Sequence, residues 1–235
     1  MFGYHEIPAD LERDPISISI RRRDESLLYR REIPADRMEK ILLGKGSNMA
    51  VNPVEPLMKP REITPFLMIE FERSITVEPR SKSRLLLAFP VEIGVFLSNT
   101  TGYDLLDVFS LVKQKFTLYG DPKNGVVCKH WKSGLYFSKP SLDPLRAGVM
   151  ELVIANNSGV WVEVSKAVFN ARAMKIYYKD ELVSASAVMK IASPQVAETD
   201  FADTPLEDGM QKSAGVYSQQ RLAIIAGKFV MEWGT

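Results

Sequence analysis

Ile16-Ser17-Ile18-Ser19-Ile20 decides how this chain folds. Successive side chains of a strand leave opposite faces, so this stretch gives one face wholly to isoleucine and the other wholly to serine. That is a half-buried strand, and β-branched isoleucine favours the same extended backbone. Outward from it the alternation recurs at Leu67, Ile69 and Phe71, at Val91, Ile93, Val95 and Leu97, and at Val160, Val162 and Val164. Met174, Ile176 and Tyr178 repeat it, as do Phe229, Met231 and Trp233. Between these runs stand turn formers: Asn99 to Gly102, Asp121 to Gly125, Asn156 to Gly159, and Lys179-Asp180-Glu181. Helix signals are few, and the best of them, Thr204-Pro205-Leu206-Glu207, is limited by Gly209 to about a single turn. Pro34 to Ile41 and Tyr103 to Phe109 read as either helix or strand. Short strands joined by such turns, without long helices between them, predict an all-β fold: antiparallel sheets packed as two sandwiches, with at most short helical turns.

Two segments share an outline. Leu67 to Phe71, a polar turn and Ile75 to Glu78 parallel Leu152 to Ala155, the turn at Asn156 to Gly159 and Val160 to Glu163. This predicts sandwiches over 1–139 and 140–235, parted in the Pro140 and Pro144 stretch where strand pairing is interrupted, with one large β domain as the alternative. Glu6-Ile7-Pro8-Ala9-Asp10 recurs as Glu32-Ile33-Pro34-Ala35-Asp36, and its prolines mark strand edges.

The 235 residues carry a net charge of +1, so no bulk field draws nucleic acid or an anionic membrane, and no nucleic-acid partner is expected. Cys128 is the only cysteine, which rules out an internal disulfide, and the amino terminus lacks a basic start followed by an apolar run. Both features predict a cytoplasmic protein. The apolar runs Leu85 to Val91 and Leu222 to Ala226 are far shorter than the roughly 20 residues of a membrane-spanning helix, so no transmembrane segment is expected. Asn156-Asn157-Ser158 fits the glycosylation pattern and is read as a turn.

Reactive groups are few, since His5 and His130 are the only histidines. On a strand, Cys128 and His130 leave one face and supply half a metal site, or a nucleophile with its base; a buried thiol beside a surface histidine is the plainer reading. Carboxylates offer hydrolysis without histidine: Glu55 lies in a proline-stiffened loop, and Glu92 interrupts the apolar run Phe89 to Phe96. Glu92 must face solvent, meet an arginine or belong to a site, with solvent the favoured reading. Glu70 and Glu72 share a face that is read as a charged exterior. Arg21-Arg22-Arg23 and Arg30-Arg31 flank a hairpin turn at Asp24-Glu25, and their charges suit a solvated edge protected against aggregation. Gly44-Lys45-Gly46-Ser47 fails as a phosphate loop because glycine and not Ser or Thr directly follows the lysine, and Asn52-Pro53 stands where a helix should come next. Trp131, Tyr136, Phe137 and Tyr119 could stack on a sugar, although aromatic residues in strands more commonly fill cores.

Asn52-Pro53-Val54-Glu55-Pro56, Phe89 to Phe96, Phe116-Thr117-Leu118-Tyr119-Gly120, Ala197-Glu198-Thr199 and Lys228 to Gly234 together resemble an archaeal uncharacterised family, domain of unknown function 432. The resemblance covers most of the chain and brings no catalytic residue with it. It implies an archaeal source and, as a partner, a membrane mechanosensitive channel. The expected function is a non-enzymatic binding or protein-interaction module that self-associates or meets another protein and uses no cofactor. The competing class is a carboxylate-based hydrolase or carbohydrate-binding protein using Glu55 and Glu92.

Overall fold

Ile16, Ile18 and Ile20 turn inward from a strand and are at most 3% exposed, while the intervening serines lie on the other face. In the computed structural model, residues 1–34, 36–44, 46–59, 61–98, 102–216 and 227–235 are described. The isoleucine strand, β3 (Ile16–Arg23), sits in an antiparallel meander with β2 (Ala9–Arg13), β4 (Ser26–Ile33) and β5 (Asp36–Leu43). Facing this meander is a second antiparallel sheet in the order β1 (Gly3–Glu6), β6 (Asn48–Val54), β9 (Glu92–Ser98), β10 (Tyr103–Phe109). Ile18, Ile20, Tyr29, Met49, Val51, Ile93, Val95 and Phe109 fill the space between them.

The remaining strands form a larger sandwich. One sheet runs β11 (Phe116–Tyr119), β12 (Val126–Ser133), β7 (Phe66–Val77), β15 (Val162–Asn170). The other runs β13 (Leu135–Tyr136), β8 (Lys82–Pro90), β14 (Ala147–Asn156), β17 (Leu182–Ser193), β16 (Tyr177–Lys179), β19 (Gln211–Lys212), with β18 (Val196–Ala202) and β20 (Phe229–Met231) attached through β17. Leu67, Ile69, Phe89, Leu152, Ile154 and Phe169 belong to its core.

The β6–β9 sheet serves both cores. Met49, Val51, Ile93 and Val95 point into the first, whereas Ala50, Val54 and Phe96 belong to the second. A strand buried on both faces needs apolar residues at consecutive positions, which explains the nearly unbroken apolar run Val91 to Phe96.

The all-β class and the packed sandwiches agree with the sequence, and several details differ. Two strand pairs, β12 with β7 and β14 with β17, are parallel. Parallel neighbours need a crossover, and after β14 the chain supplies one by crossing to the opposite sheet as β15 before returning through β16 to β17. β8 pairs with β14, and β7 with β15, so a division at 139–140 would cut both sheets of the larger sandwich. The first core draws instead on residues 1–54 and 92–109, with Leu145 added.

Leu67 to Glu78 holds no turn, because β7 runs unbroken from Phe66 to Val77. Thr204 to Glu207 forms no helix; Tyr103 to Phe109 is a strand, and Asp36 to Leu43 is another. The strand expected from Met174 is shortened to Tyr177–Lys179 by a 3-10 turn at Ala171–Ala173. Asn156 is fully buried, its amide donating to Val77 and Val160 carbonyls and its oxygen accepting from Ser158, which makes Asn156 to Ser158 a structural turn. Among the described residues no helix is long and apolar enough to cross a membrane. Residues 99–101, Lys45, and the run Leu222 to Ala226 lie outside the described residues.

Candidate functional site

Glu92 opens β9 opposite Val54 and is completely buried. The solvent reading therefore fails, and the charged partner that the alternative reading gave as an arginine is a lysine. Lys129 of β12 donates to Glu92 Oε1 at 2.7 Å, and the Met58 and Lys59 amides donate to the same carboxylate at 2.9 and 3.1 Å. The ammonium also reaches the Lys59 carbonyl at 3.1 Å. Burial pushes the Glu92 carboxyl up and the Lys129 amine down, and each charge draws the other part of the way back. The pair ties the shared sheet to the β12 sheet.

Glu55 follows β6 and is only 3% exposed. It accepts from the Val216 amide at 2.9 Å. Burial pushes its carboxyl up to about 7, the Val216 bond and Lys175 draw it down, and Glu92 pushes it up, which puts the two carboxylates within electrostatic reach. A carboxyl raised to about 7 and a second one paired with a lysine have the electrostatics of an acid and a base. Their oxygens are nevertheless turned to protein amides and Lys129, and neither residue lines any of four clefts formed by described residues. The geometry is that of an internal brace.

Cys128 is buried among Tyr119 and the second core, its thiol 3.6 Å from the Val126 carbonyl, and burial pushes it up to about 12. A thiol held neutral is a poor nucleophile and a poor metal ligand. His130, on the same strand face, turns its Nε2 to Glu70 at 2.9 Å. Glu72 is exposed and does not join them. Among the described residues, no three histidine, cysteine, aspartate or glutamate side chains gather as metal ligands.

The arginine cluster is split. Arg21, Arg22, Arg23 and Arg30 are exposed, and Asp24, with φ 47°, makes the hairpin turn between them. Arg31 departs from the edge reading: it is fully buried, bonded to Asp107 at 2.7 Å and Asp36 at 2.9 Å, and stacked 4.9 Å over the Phe109 ring. Nor do the aromatic candidates converge. Tyr119 is buried edge-on to Trp233, Trp131 packs against the core, and Phe137 projects into solvent beside Tyr136. The largest of those four clefts, about 850 Å³, has Arg13 paired with Glu181 and Lys139 with Glu207 in its walls.

What remains open is an edge. Among the described residues, β11 ends its sheet and pairs on one side only, with β12. Phe116, Leu118 and Val127 leave the same face, with Leu118 directly opposite Val127, and are 37%, 41% and 47% exposed. Lys129 shares that face further in and is buried. The Lys115 carbonyl accepts from the His130 amide, so in an antiparallel ladder Lys115, Thr117 and Tyr119 bond toward β12, while the N–H and C=O of Phe116 and Leu118 point outward. Sequence reading missed this patch. Its signal was Phe116-Thr117-Leu118-Tyr119, which places large apolar side chains on both faces of a strand too short to bury them all.

No curated protein and no solved structure matches the chain. A family model described as "Protein of unknown function (DUF432)" matches residues 1–232, and the chain belongs to that family.

Proposed function

We propose that this protein is a non-enzymatic interaction module that binds protein through the free edge of β11. The observation carrying this reading is the coincidence of outward-pointing backbone groups with the apolar row Phe116, Leu118 and Val127. An extended strand added there would satisfy the backbone and cover the side chains together. The internal spending of Glu55, Glu92 and Lys129 on one another's surroundings supports the same reading over a carboxylate hydrolase. The single buried thiol is in keeping with a reducing, cytoplasmic setting.

A photo-crosslinking amino acid placed at Val127 in cells tests it, with exposed Lys123 as the control position. A protein adduct at 127 and none at 123 is the expected result. Absence of any adduct at 127 overturns the reading.

A further inference from the structure

We propose that the occupant of the β11 edge is a second copy of the chain, paired antiparallel about a two-fold axis through Thr117. This deepens the reading of β11 as an interaction surface and rests on it. In that register Phe116 of each copy faces Leu118 of the other, and Thr117 faces Thr117. Phe116 and Leu118 are the residues whose N–H and C=O point outward, so the register pairs them by backbone bonds. Their side chains lie on one face with Val127 beside Leu118, and the two copies together make one continuous apolar row from parts that are each partly exposed. Lys115 of each copy meets Tyr119 of the other, so no like charges stand opposite one another across the junction.

The β5 edge, which ends the meander, is charged along most of its length. In β5, the Gly44 amide bonds to the Glu25 carbonyl, which leaves the backbone groups of Arg37, Glu39, Ile41 and Leu43 outward. Pairing β5 with itself about Glu39 or about Lys40 sets identical charges face to face. The registers about Met38 and about Leu42 avoid that, but the first brings together charged residues, of which Arg37 and Glu39 already bond to Glu32 and Arg30, and the second sets Ile41 against Leu43 at the end of the strand only and leaves its charged first half outside the junction. Charged side chains are the usual protection of an edge against pairing, and β11 lacks them. A junction at β11 joins two four-stranded sheets into one that runs through both copies.

Sedimentation equilibrium over micromolar to millimolar protein tests the inference through three preparations: the wild type, F116E, and L118K. The wild type is expected to dimerise, and each variant to raise the dimer dissociation constant by at least about tenfold. Mixing F116E with L118K is expected to restore dimer, because the acid introduced at 116 of one copy then faces the amine introduced at 118 of the other. A wild type that stays monomeric, variants that dimerise as the wild type does, or a mixture without rescue each overturns the inference. Rescue on mixing also shows that both variants fold. A crosslinked adduct at Val127 with a different protein and none with the chain itself would overturn the self-pairing while leaving the interaction surface standing.

Discussion

Lys129 and Glu55 show what isolated residues contribute. Removing one member of a buried ion pair leaves the other without a counter-charge, so Lys129→Met should cost about 3–5 kcal/mol in urea unfolding, and adding Glu92→Leu should recover part of that loss. Glu55 acts through pH. Its folded value of about 7 lies above the ordinary 4.5, so between those limits the folded chain keeps a proton that the unfolded chain has lost. Stability should therefore fall by about 1.4 kcal/mol per pH unit from 4.5 to 7 and level off above, and Glu55→Gln should flatten this slope in urea midpoints recorded across that range. The buried thiol gives a third outcome: Cys128 should resist a thiol reagent at pH 8 until denaturant unfolds the chain, as followed by absorbance. The carboxylates stood out in the sequence because an acid inside an apolar run is conspicuous. Their partners did not, since Lys129 lies 37 positions from Glu92 and Asp107 lies 76 from Arg31, separations that carry no periodic signal.

At the scale of strands, the side-chain period was the readable quantity. Ile16 to Ile20 alternates strictly because one face is covered, and β3 lies where that alternation places it. Tyr103 to Phe109 was ambiguous because its register shifts between Leu105 and Asp107, which breaks the period of two at the point where Asp107 turns in to meet Arg31. The parallel pairings were beyond a local reading, since crossover strands look like any others. Close packing between neighbouring strands sets a further expectation. Gly148 of β14 lies opposite Phe89 of β8, and a Cβ there would stand 2.4 Å from the ring and 3.0 Å from the Val183 carbonyl. The ring can move only into a packed core, so Gly148→Ala should destabilise by about 1–3 kcal/mol, read as a lowered thermal midpoint. The apolar row on β11 and β12 belongs to this scale too, for it exists only once the two strands align Leu118 with Val127.

For the molecule as a whole, the shared sheet is the organising fact. Ile18 lies in the first core and Leu152 in the second, yet both cores rest on opposite faces of β6 and β9. Ile18→Ala and Leu152→Ala should each cost about 2–5 kcal/mol and lower one common transition in calorimetry; two separate transitions would mean that the cores melt independently. The shared sheet also bears on how the polypeptide is made. By the time position 109 has left the ribosome, nearly every residue of the first core is present, with Leu145 still to come, but the second core, on the far side of β6 and β9, still lacks everything that β12, β14, β15, β17 and β18 bring to it. A nascent chain at that stage displays Ala50, Val54 and Phe96 to its surroundings, a greasy flank that invites capture by chaperones or by neighbouring nascent chains. Yield on overexpression should accordingly depend on the pace of translation and on growth temperature more than the finished protein's stability would suggest.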